Sequence, residues 1–546
     1  MVEAEKKEQH LCGSFKASIA GKAFSGRPAL GKKWRKKNVF YGLPPGADGS
    51  MIRKGTGIPS AEPIGFDGCS PLFLTVPRFC AFRFSVRRKQ RYRSFQRGCA
   101  RLTFANLKFI FAFLPASLVL YYIVPKRLKN YVLLVGSLLF YGLGSWWQTG
   151  LLAADVTVNY FLAGTFSGSR GHCRHRRLCF WLTVAANTAL LVWFKCRSTI
   201  PIGISFYTFQ MIAYQADVYR GTIPREESLL RFGTFMFFFP KLQEGPITRY
   251  DELSMGLRRP VCRAENLEEG FRLFVMGLAY KALLADKLGG LWKQLSIIGY
   301  DSVSTPMAWL GMGAYTLQLY FDFHGYSLMA VGVGKMFGFS LPLNFLFPYS
   351  STSVSDFYRR WHATLGRWFR DYVYIPMGGS REGMARTIGN LLFVWLLTGL
   401  WHGIHWNFVL WGLSLFVLIA LEKLFLRKWL EKNPFLGHLY VLLFIPLTWM
   451  LFANTNFSDL AVYFERLFPF GGSGISVYAG DWLEYGRNYA PYLLAGCVFL
   501  FPQSERFLLD NGKHRVVTTV ILAAFFWMSV YSIHSSANNP FMYLQF

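Results

Sequence analysis

Charge is scarce in this 546-residue chain: 16% of the residues are charged, and the acidic ones number 30 against 59 Lys and Arg. Set beside 52% apolar and 18% aromatic residues, so small a charged fraction argues against a string of three or four soluble domains. A cysteine framework is also missing. The nine cysteines (12, 69, 80, 99, 173, 179, 196, 262 and 497) are scattered without paired spacing, which excludes a disulfide scaffold. No apolar stretch followed by a small-residue cleavage site stands near the N-terminus, so a secretory signal is not expected. The alternation of a transmembrane barrel is absent as well.

What the chain has instead is long apolar runs. A hydrocarbon core ~30 Å thick needs about 20 apolar residues at helical rise, and "FANLKFIFAFLPASLVLYYIV" (Phe104–Val124) meets that alone. Further runs recur from 131–147 to 515–534, several short or broken by Gly and Pro. Because a backbone in lipid must satisfy its own hydrogen bonds, the expected fold class is an all-α polytopic integral membrane protein. About 10–12 transmembrane helices are expected, with re-entrant and interfacial helices among them.

Residues 1–101 differ from the rest. They carry 21 Lys and Arg against 6 Asp and Glu, including "GKKWRKK" and "RFSVRRKQRYRSFQR", with no sustained period. A nucleic-acid-binding arm and a targeting peptide are weaker readings than a disordered basic tail, and no nucleic-acid partner is expected. Short basic loops belong on the cytoplasmic side. "PKRLKN" after the first span and "SGSRGHCRHRRL" after the third lie two spans apart and so share a side. That places the basic tail outside, against the same rule. The expectation is that the native protein begins close to Leu102, with 1–101 an extension from a misplaced start and 102–546 the membrane domain.

Ionisable side chains at membrane depth are costly and mark functional sites. They concentrate between Pro201 and Trp411. His172, Cys173, His175 and Cys179 imitate a metal site, but the arginines between them oppose a cation, and no metal is expected. In Ser355–Arg381, helical spacing puts Trp361, Leu365, Trp368 and Tyr372 on one stripe. Arg360, Thr364, Arg367 and Asp371 form a neighbouring polar stripe, with Tyr358, His362, Gly366 and Phe369 between. This predicts an interfacial helix ending at "PMGGSR", where Gly378 and Gly379 free backbone N–H groups for an anion. In "TGLWHGIHWNFVLWGL", His402 and His405 stand three apart and share a helical face. No carboxylate sits at a metal-site offset, since Glu422 is over five turns along. A satisfied structural histidine and a general base both fit. Gly399 and Gly403 remove bulk around His402, where a substrate would approach.

Taken together, "LPASLVLYYIVPKRLKNYVLLVGSLLFYG", "IPIGISFYTFQMIAYQADVYRG", "FFPKLQEGPITRYDEL", "YTLQLYFDFHGYSLMAVGVGKMFGFSLPLNFLFPY", "FYRRWHATLGRWFRDYVYIPMGG", "GLWHGIHWNFVLWGL" and "NPFMYLQF" resemble the membrane-bound O-acyltransferase family. The resemblance is nearest to its bacterial branch, which holds the alginate O-acetylation membrane subunit and, further off, the D-alanyl transfer protein of teichoic acids. It runs in order from about Leu102 to Phe546.

The resemblance implies a ring of helices around a central tunnel through the bilayer, with the catalytic histidine at His402 ("LWHG") and the second at His362 ("RRWH"). His405 falls at a variable position and reads as packing or capping. The implied activity is transfer of an acyl group, chiefly acetyl, from a cytoplasmic thioester to a hydroxyl of an exported polysaccharide such as alginate. No cofactor is bound; acyl-CoA or an acyl-carrier phosphopantetheine thioester is the donor substrate. The implied partners are the lipid bilayer and an extracytoplasmic acetyltransferase, and the implied location is the inner or plasma membrane, multi-pass. His402 is expected to take the hydroxyl proton, and His362 to orient the substrate or polarise the thioester carbonyl. Arg359, Arg360, Arg367 and Arg370, with Asp371 and the Gly378–Gly379 turn, are expected around donor phosphates. Relatives read "DFSGYSDMA" where this chain has "DFHGYSLMA", so His324 and Leu328 are departures, and Asp322 and His324 are candidates to compensate together. The competing classes are a transporter and a non-catalytic scaffold of polysaccharide assembly.

Overall fold

The computed structural model describes residues 102–167, 173–197, 199–261, 263–470, 478–510, 512, 514–535 and 541–542. The basic segment 1–101, His172 and Cys262, the side chain of Cys173 and most of the terminal "NPFMYLQF" lie outside that set. Among the described residues every regular element is a helix. Five are long and apolar enough to cross a membrane: Arg174–Lys195, Gly383–His402, Trp406–Lys432, Pro434–Ala453 and Arg515–Ser535. The protein is all-α and multi-pass. The first expected span is interrupted: a π-helical turn at Phe109–Phe113 runs into Leu114–Ile123, with Pro115 in the first turn of the second piece. The backbone stays helical through this point, and the π-turn sits just where Pro115, which has no N–H to donate and crowds the preceding turn, must be accommodated.

The spine is Thr305–Met336, 32 residues with nearly every side chain buried. Ser304 caps its start, the hydroxyl accepting from Met307 N at 3.2 Å. At 1.5 Å per residue it runs about 48 Å, longer than a bilayer core. Helix Ala264–Ala279 lies against it through paired glycines. A Cβ at Gly277 would meet Gly325 O at 2.4 Å, and one at Gly270 would meet Gly332 O at 2.5 Å. Both pairs are seven residues apart, so one face of each helix is kept bare and the backbones touch twice.

Buried charges beside the spine are tied in pairs. Lys281, in a π-turn at Tyr280–Ala285, reaches Asp322 at 2.6 Å and Asp286 at 2.8 Å. Asp322 also accepts from Met542 N at 2.7 Å. His324 pairs instead with Glu505 at 2.9 Å, and the Tyr280 hydroxyl donates to the same carboxylate oxygen at 2.8 Å. Asp322 and His324 are thus engaged with different partners and, among the described residues, do not bond to each other. Asp322 ties the chain's C-terminal end to the spine, and His324 ties in the helix Pro502–Leu509.

The expected interfacial helix over Ser355–Arg381 is not continuous. Val354–Arg360 and Ala363–Phe369 are separate helices, and Arg370–Tyr374 is a π-turn. At the break Trp361 is extended and His362 adopts φ 45°, ψ 49°, a left-handed conformation that is uncommon for a residue with a side chain. The cause lies outside the segment. The strand-like stretch before Pro348 pairs with the break, Ala363 N donating to Asn344 O at 2.8 Å and Leu346 N to Arg360 O at 3.0 Å. The regular stripes end where the helix does.

Outside the spans, Glu226 anchors the loop that follows helix Ile204–Arg220. It is wholly buried and takes Arg231 at 2.5 Å and Arg258 at 3.2 Å, with the Tyr250 hydroxyl at 2.5 Å. Burial pushes its pKa up, but the hydrogen bonds from Arg231 and Tyr250 outweigh that and hold it down at about 2. A carboxylate depressed in the folded state contributes stability that is complete above its ordinary pKa and lost as pH falls through the folded one. Wild-type protein is therefore expected to melt higher than Glu226→Gln at pH 7. That advantage should shrink as the pH is lowered from ~4 toward ~2, as followed by thermal melts in detergent.

Candidate active site

The "TGLWHGIHWNFVLWGL" stretch folds as a hairpin rather than one helix. Gly383–His402 ends at His402, residue 403 is extended, and Trp406–Leu421 begins three residues later. The two histidines therefore do not share a helical face. His405 takes the N-cap position of the second helix, is exposed, and makes no side-chain cap bond, so it neither packs nor caps. Gly399 and Gly403 do not open space for a substrate. A Cβ at Gly399 would meet Phe408 O at 2.5 Å, and one at Gly403 would meet the Phe408 ring at 2.5 Å. With Gly412, whose Cβ would meet Trp395 O at 2.5 Å, they let the hairpin close and fix where His402 sits.

His402 is 5% exposed and stands among aromatic rings: Trp401 at 4.8 Å, Trp411 at 5.0 Å and Phe452 at 5.3 Å between centroids, all edge-on. Lys195, at the end of the span Arg174–Lys195, donates to the carbonyl oxygens of Trp401 and, at 3.4 Å, His402. This closes off the last turn of the helix. His362 is 3% exposed, with Phe206, Phe323 and Trp401 around its ring. Its Nδ1 lies 3.1 Å from Asn344 Oδ1, while its Nε2 has no hydrogen-bond partner among the described residues.

The two histidines, 40 positions apart in sequence, line the same cavity of about 740 Å³. Its inner wall includes Trp361, Trp395, Thr398 and Trp411. The Trp411 indole N–H is buried without an acceptor among the described residues. Five cations (Arg359, Arg367, Arg370, Lys423 and Arg427) and three carboxylates (Asp356, Glu422 and Glu431) also line it. One chamber thus joins a polar, net-positive part to a pair of imidazoles walled by aromatics.

The arginines expected around donor phosphates divide. Arg359 is three-quarters exposed, with its ion pair to Asp356 at 3.9 Å, and Arg370 is largely exposed although paired to Asp371 at 2.8 Å. Arg367 is clamped in a fork on Glu252 at 2.6 and 3.2 Å, which occupies the donors a phosphate would need. Arg360 pairs with Asp356 at 2.9 Å and does not line the cavity. Asp371 binds Arg249 at 3.5 Å as well as Arg370 and is not among the residues lining the chamber. The glycine turn offers no anion site: Gly378 N donates to Ile375 O and Gly379 N to Tyr374 O. Asn390 holds the turn by donating to Gly379 O at 3.0 Å, and Glu382 stands against Gly378. Both glycines have positive φ, 103° and 61°; their use is to end the helix. Asp322 and His324 are also absent from the lining.

Sequence reasoning missed Asn344, Trp411, Glu422, Lys423 and Arg427. Glu422 was set aside as too distant along its helix from His402, and it is distant from it; its role comes from the fold. Its carboxylate accepts from Val354 N at 2.5 Å and Ser355 N at 2.9 Å, the first turn of the helix leading to His362.

The chamber of this multi-span helical protein thus brings together two buried imidazoles, an indole N–H without an acceptor among the described residues and a net-positive flank, groups that can serve as base and hydrogen-bond donor. Comparison with known proteins gives the class. Residues 221–457 match the model of MBOAT, the membrane-bound O-acyltransferase family. The protein named "Probable alginate O-acetylase AlgI" of Pseudomonas putida is 32% identical over 495 residues, covering 82% of this chain and all of the relative. The peptidoglycan O-acetyltransferase of Helicobacter pylori is 28% identical, covering 82% of this chain and 98% of that protein. The teichoic acid D-alanyltransferase of Bacillus subtilis is 29% identical, over 43% of this chain and 62% of its own length. The chain belongs to the membrane-bound O-acyltransferase family. It is a multi-pass membrane O-acyltransferase.

Proposed function

We propose that this protein moves an acetyl group from a cytoplasmic thioester, acyl-CoA or an acyl-carrier phosphopantetheine, toward hydroxyls of an exported polysaccharide. It would do so in the inner (plasma) membrane, with a separate extracytoplasmic acetyltransferase completing the transfer. The observation that carries this reading is the shared chamber: His362 and His402 line one cavity that also presents Arg359, Arg370, Lys423 and Arg427. The cations suit the phosphates of either donor, and relatives named for alginate and peptidoglycan O-acetylation support a polysaccharide acceptor.

In this scheme the acceptor hydroxyl attacks the thioester carbonyl carbon. His402 takes the hydroxyl proton as the C–O bond forms, and gives it to the thiolate as the C–S bond breaks. The Trp411 indole N–H, lacking an acceptor on the chamber wall, donates to the oxygen that gains charge. Trp411→Phe keeps an aromatic ring at this buried position and removes the N–H donor. Its kcat is expected to fall about 10- to 10³-fold with the protein intact by size exclusion. Proteoliposomes given a labelled acyl donor inside and an acceptor outside test the whole scheme. Label becoming covalent on the acceptor, dependent on His402, supports it; unmodified solute crossing the bilayer would overturn it.

A further inference from the structure

The sequence left two roles open for His362: orienting the acceptor, or donating to the thioester carbonyl. The hydrogen bonds behind the ring distinguish them. Thr364 Oγ1 accepts from Ile247 N at 3.0 Å and lies 2.6 Å from Asn344 Oδ1. A threonine hydroxyl has one proton, and here the side chain of Asn344 receives it. The 2.6 Å separation is that of an O–H···O bond and short for N–H···O, so the atom of Asn344 facing Thr364 is assigned as the oxygen, an orientation that leaves Asn344 Nδ2 buried without a partner among the described residues. His362 Nδ1 lies 3.1 Å from that same oxygen, so Nδ1 carries the hydrogen. In a neutral imidazole the other nitrogen then holds a lone pair. That nitrogen, Nε2, is buried and has no partner among the described residues, on a residue that lines the chamber.

The backbone supports the same assignment. His362 is one of two non-glycine residues with positive φ among those described, and its neighbour Ala363 donates to the backbone oxygen of Asn344. Asn344 thus holds the strained turn with its main chain and the ring with its side chain. Strain retained at a buried ring in a cavity is a pointer to function.

We infer that Asn344, seconded by Thr364, is a positioning residue that locks His362 in the Nδ1–H tautomer, so that Nε2 accepts a hydrogen bond from the acceptor hydroxyl and does not donate to the thioester carbonyl. This rests on the acyl-transfer reading for its substrate. The tautomer itself does not.

The test reads both. Protein labelled with ¹⁵N at histidine, in lipid nanodiscs, is compared with His362→Gln to assign the His362 signals. A pyridine-type Nε2 and a pyrrole-type Nδ1 are expected, and mixed tautomers are expected in Asn344→Ala. The same variant should lose about 10- to 100-fold in kcat, with the KM for donor within about twofold of wild type. Thr364→Val should lose severalfold, and Thr364→Ser should restore the rate. If Asn344→Ala does not fold, the Thr364 pair carries the comparison. A pyrrole-type Nε2 in the wild type, or unchanged kcat in both Asn344→Ala and Thr364→Val, would overturn the inference. Failure of the acyl-transfer reading would look different: no label becoming covalent on an acceptor with the wild-type protein, with the tautomer signals still readable.

Discussion

Replacing His402 by alanine is expected to slow acyl transfer by about 10²- to 10⁴-fold while the protein still inserts and folds. The expectation rests on placement. His402 closes the last turn of a membrane helix, its ring stands edge-on to Trp401, Trp411 and Phe452, and it lines the chamber with His362. Deleting the ring leaves a gap among aromatics, so some loss of thermal stability is expected. His402→Gln keeps more of the volume and none of the basicity, and should be as inactive as alanine. His405→Ala is the control: the residue is exposed, and its removal should leave turnover unchanged. Turnover of a labelled thioester, with monodispersity checked in detergent, separates these cases.

A second large effect is expected at Glu422, through stability. Its two carboxylate oxygens receive the backbone N–H groups of Val354 and Ser355, and its side chain is almost wholly buried. The helix it steadies, Val354–Arg360, ends at the turn that sets His362. Glu422→Ala leaves two inward N–H donors with no acceptor, at about 1–3 kcal/mol each, enough to lower the melting temperature by several degrees. Activity should fall with it as the His362 turn loosens. Glu422→Gln keeps one acceptor oxygen and is expected to lie between wild type and alanine in both measurements. Equal melting temperatures for all three would show that the carboxylate is not what steadies this helix.

Much of the class was legible in the sequence because lipid leaves the chain few options. Apolar runs of spanning length mean helices, and the resemblance of "RRWH" and "LWHG" to one family brought the two histidines together before any coordinates. The details that failed share a physical origin. Ser355–Arg381 has a clean helical period, yet the segment breaks at His362 because residues of the 344–346 stretch pair with it, and periodicity carries no information about a tertiary partner. Arg367 looked free for phosphate because Glu252, 115 residues earlier, is not visible as its partner in a linear reading. Gly399 and Gly403 looked like space for a substrate and are in fact contact points for Phe408, because a bare helix face serves close packing as readily as it serves ligands. Gly378 and Gly379 marked a helix end correctly, but their N–H groups close the preceding π-turn. Asn344 lies inside a stretch that carries the resemblance but was not singled out, because its importance lies in what its amide touches.

The central claim is that His362 and His402 serve one reaction step in one chamber. Turnover of labelled donor by His362→Ala, His402→Ala and the double variant, all reconstituted at equal density, tests it directly. Groups acting as a unit are not additive, so the double variant should be within about threefold of the slower single. Losses that multiply, or a single variant that turns over at the wild-type rate, would contradict the account.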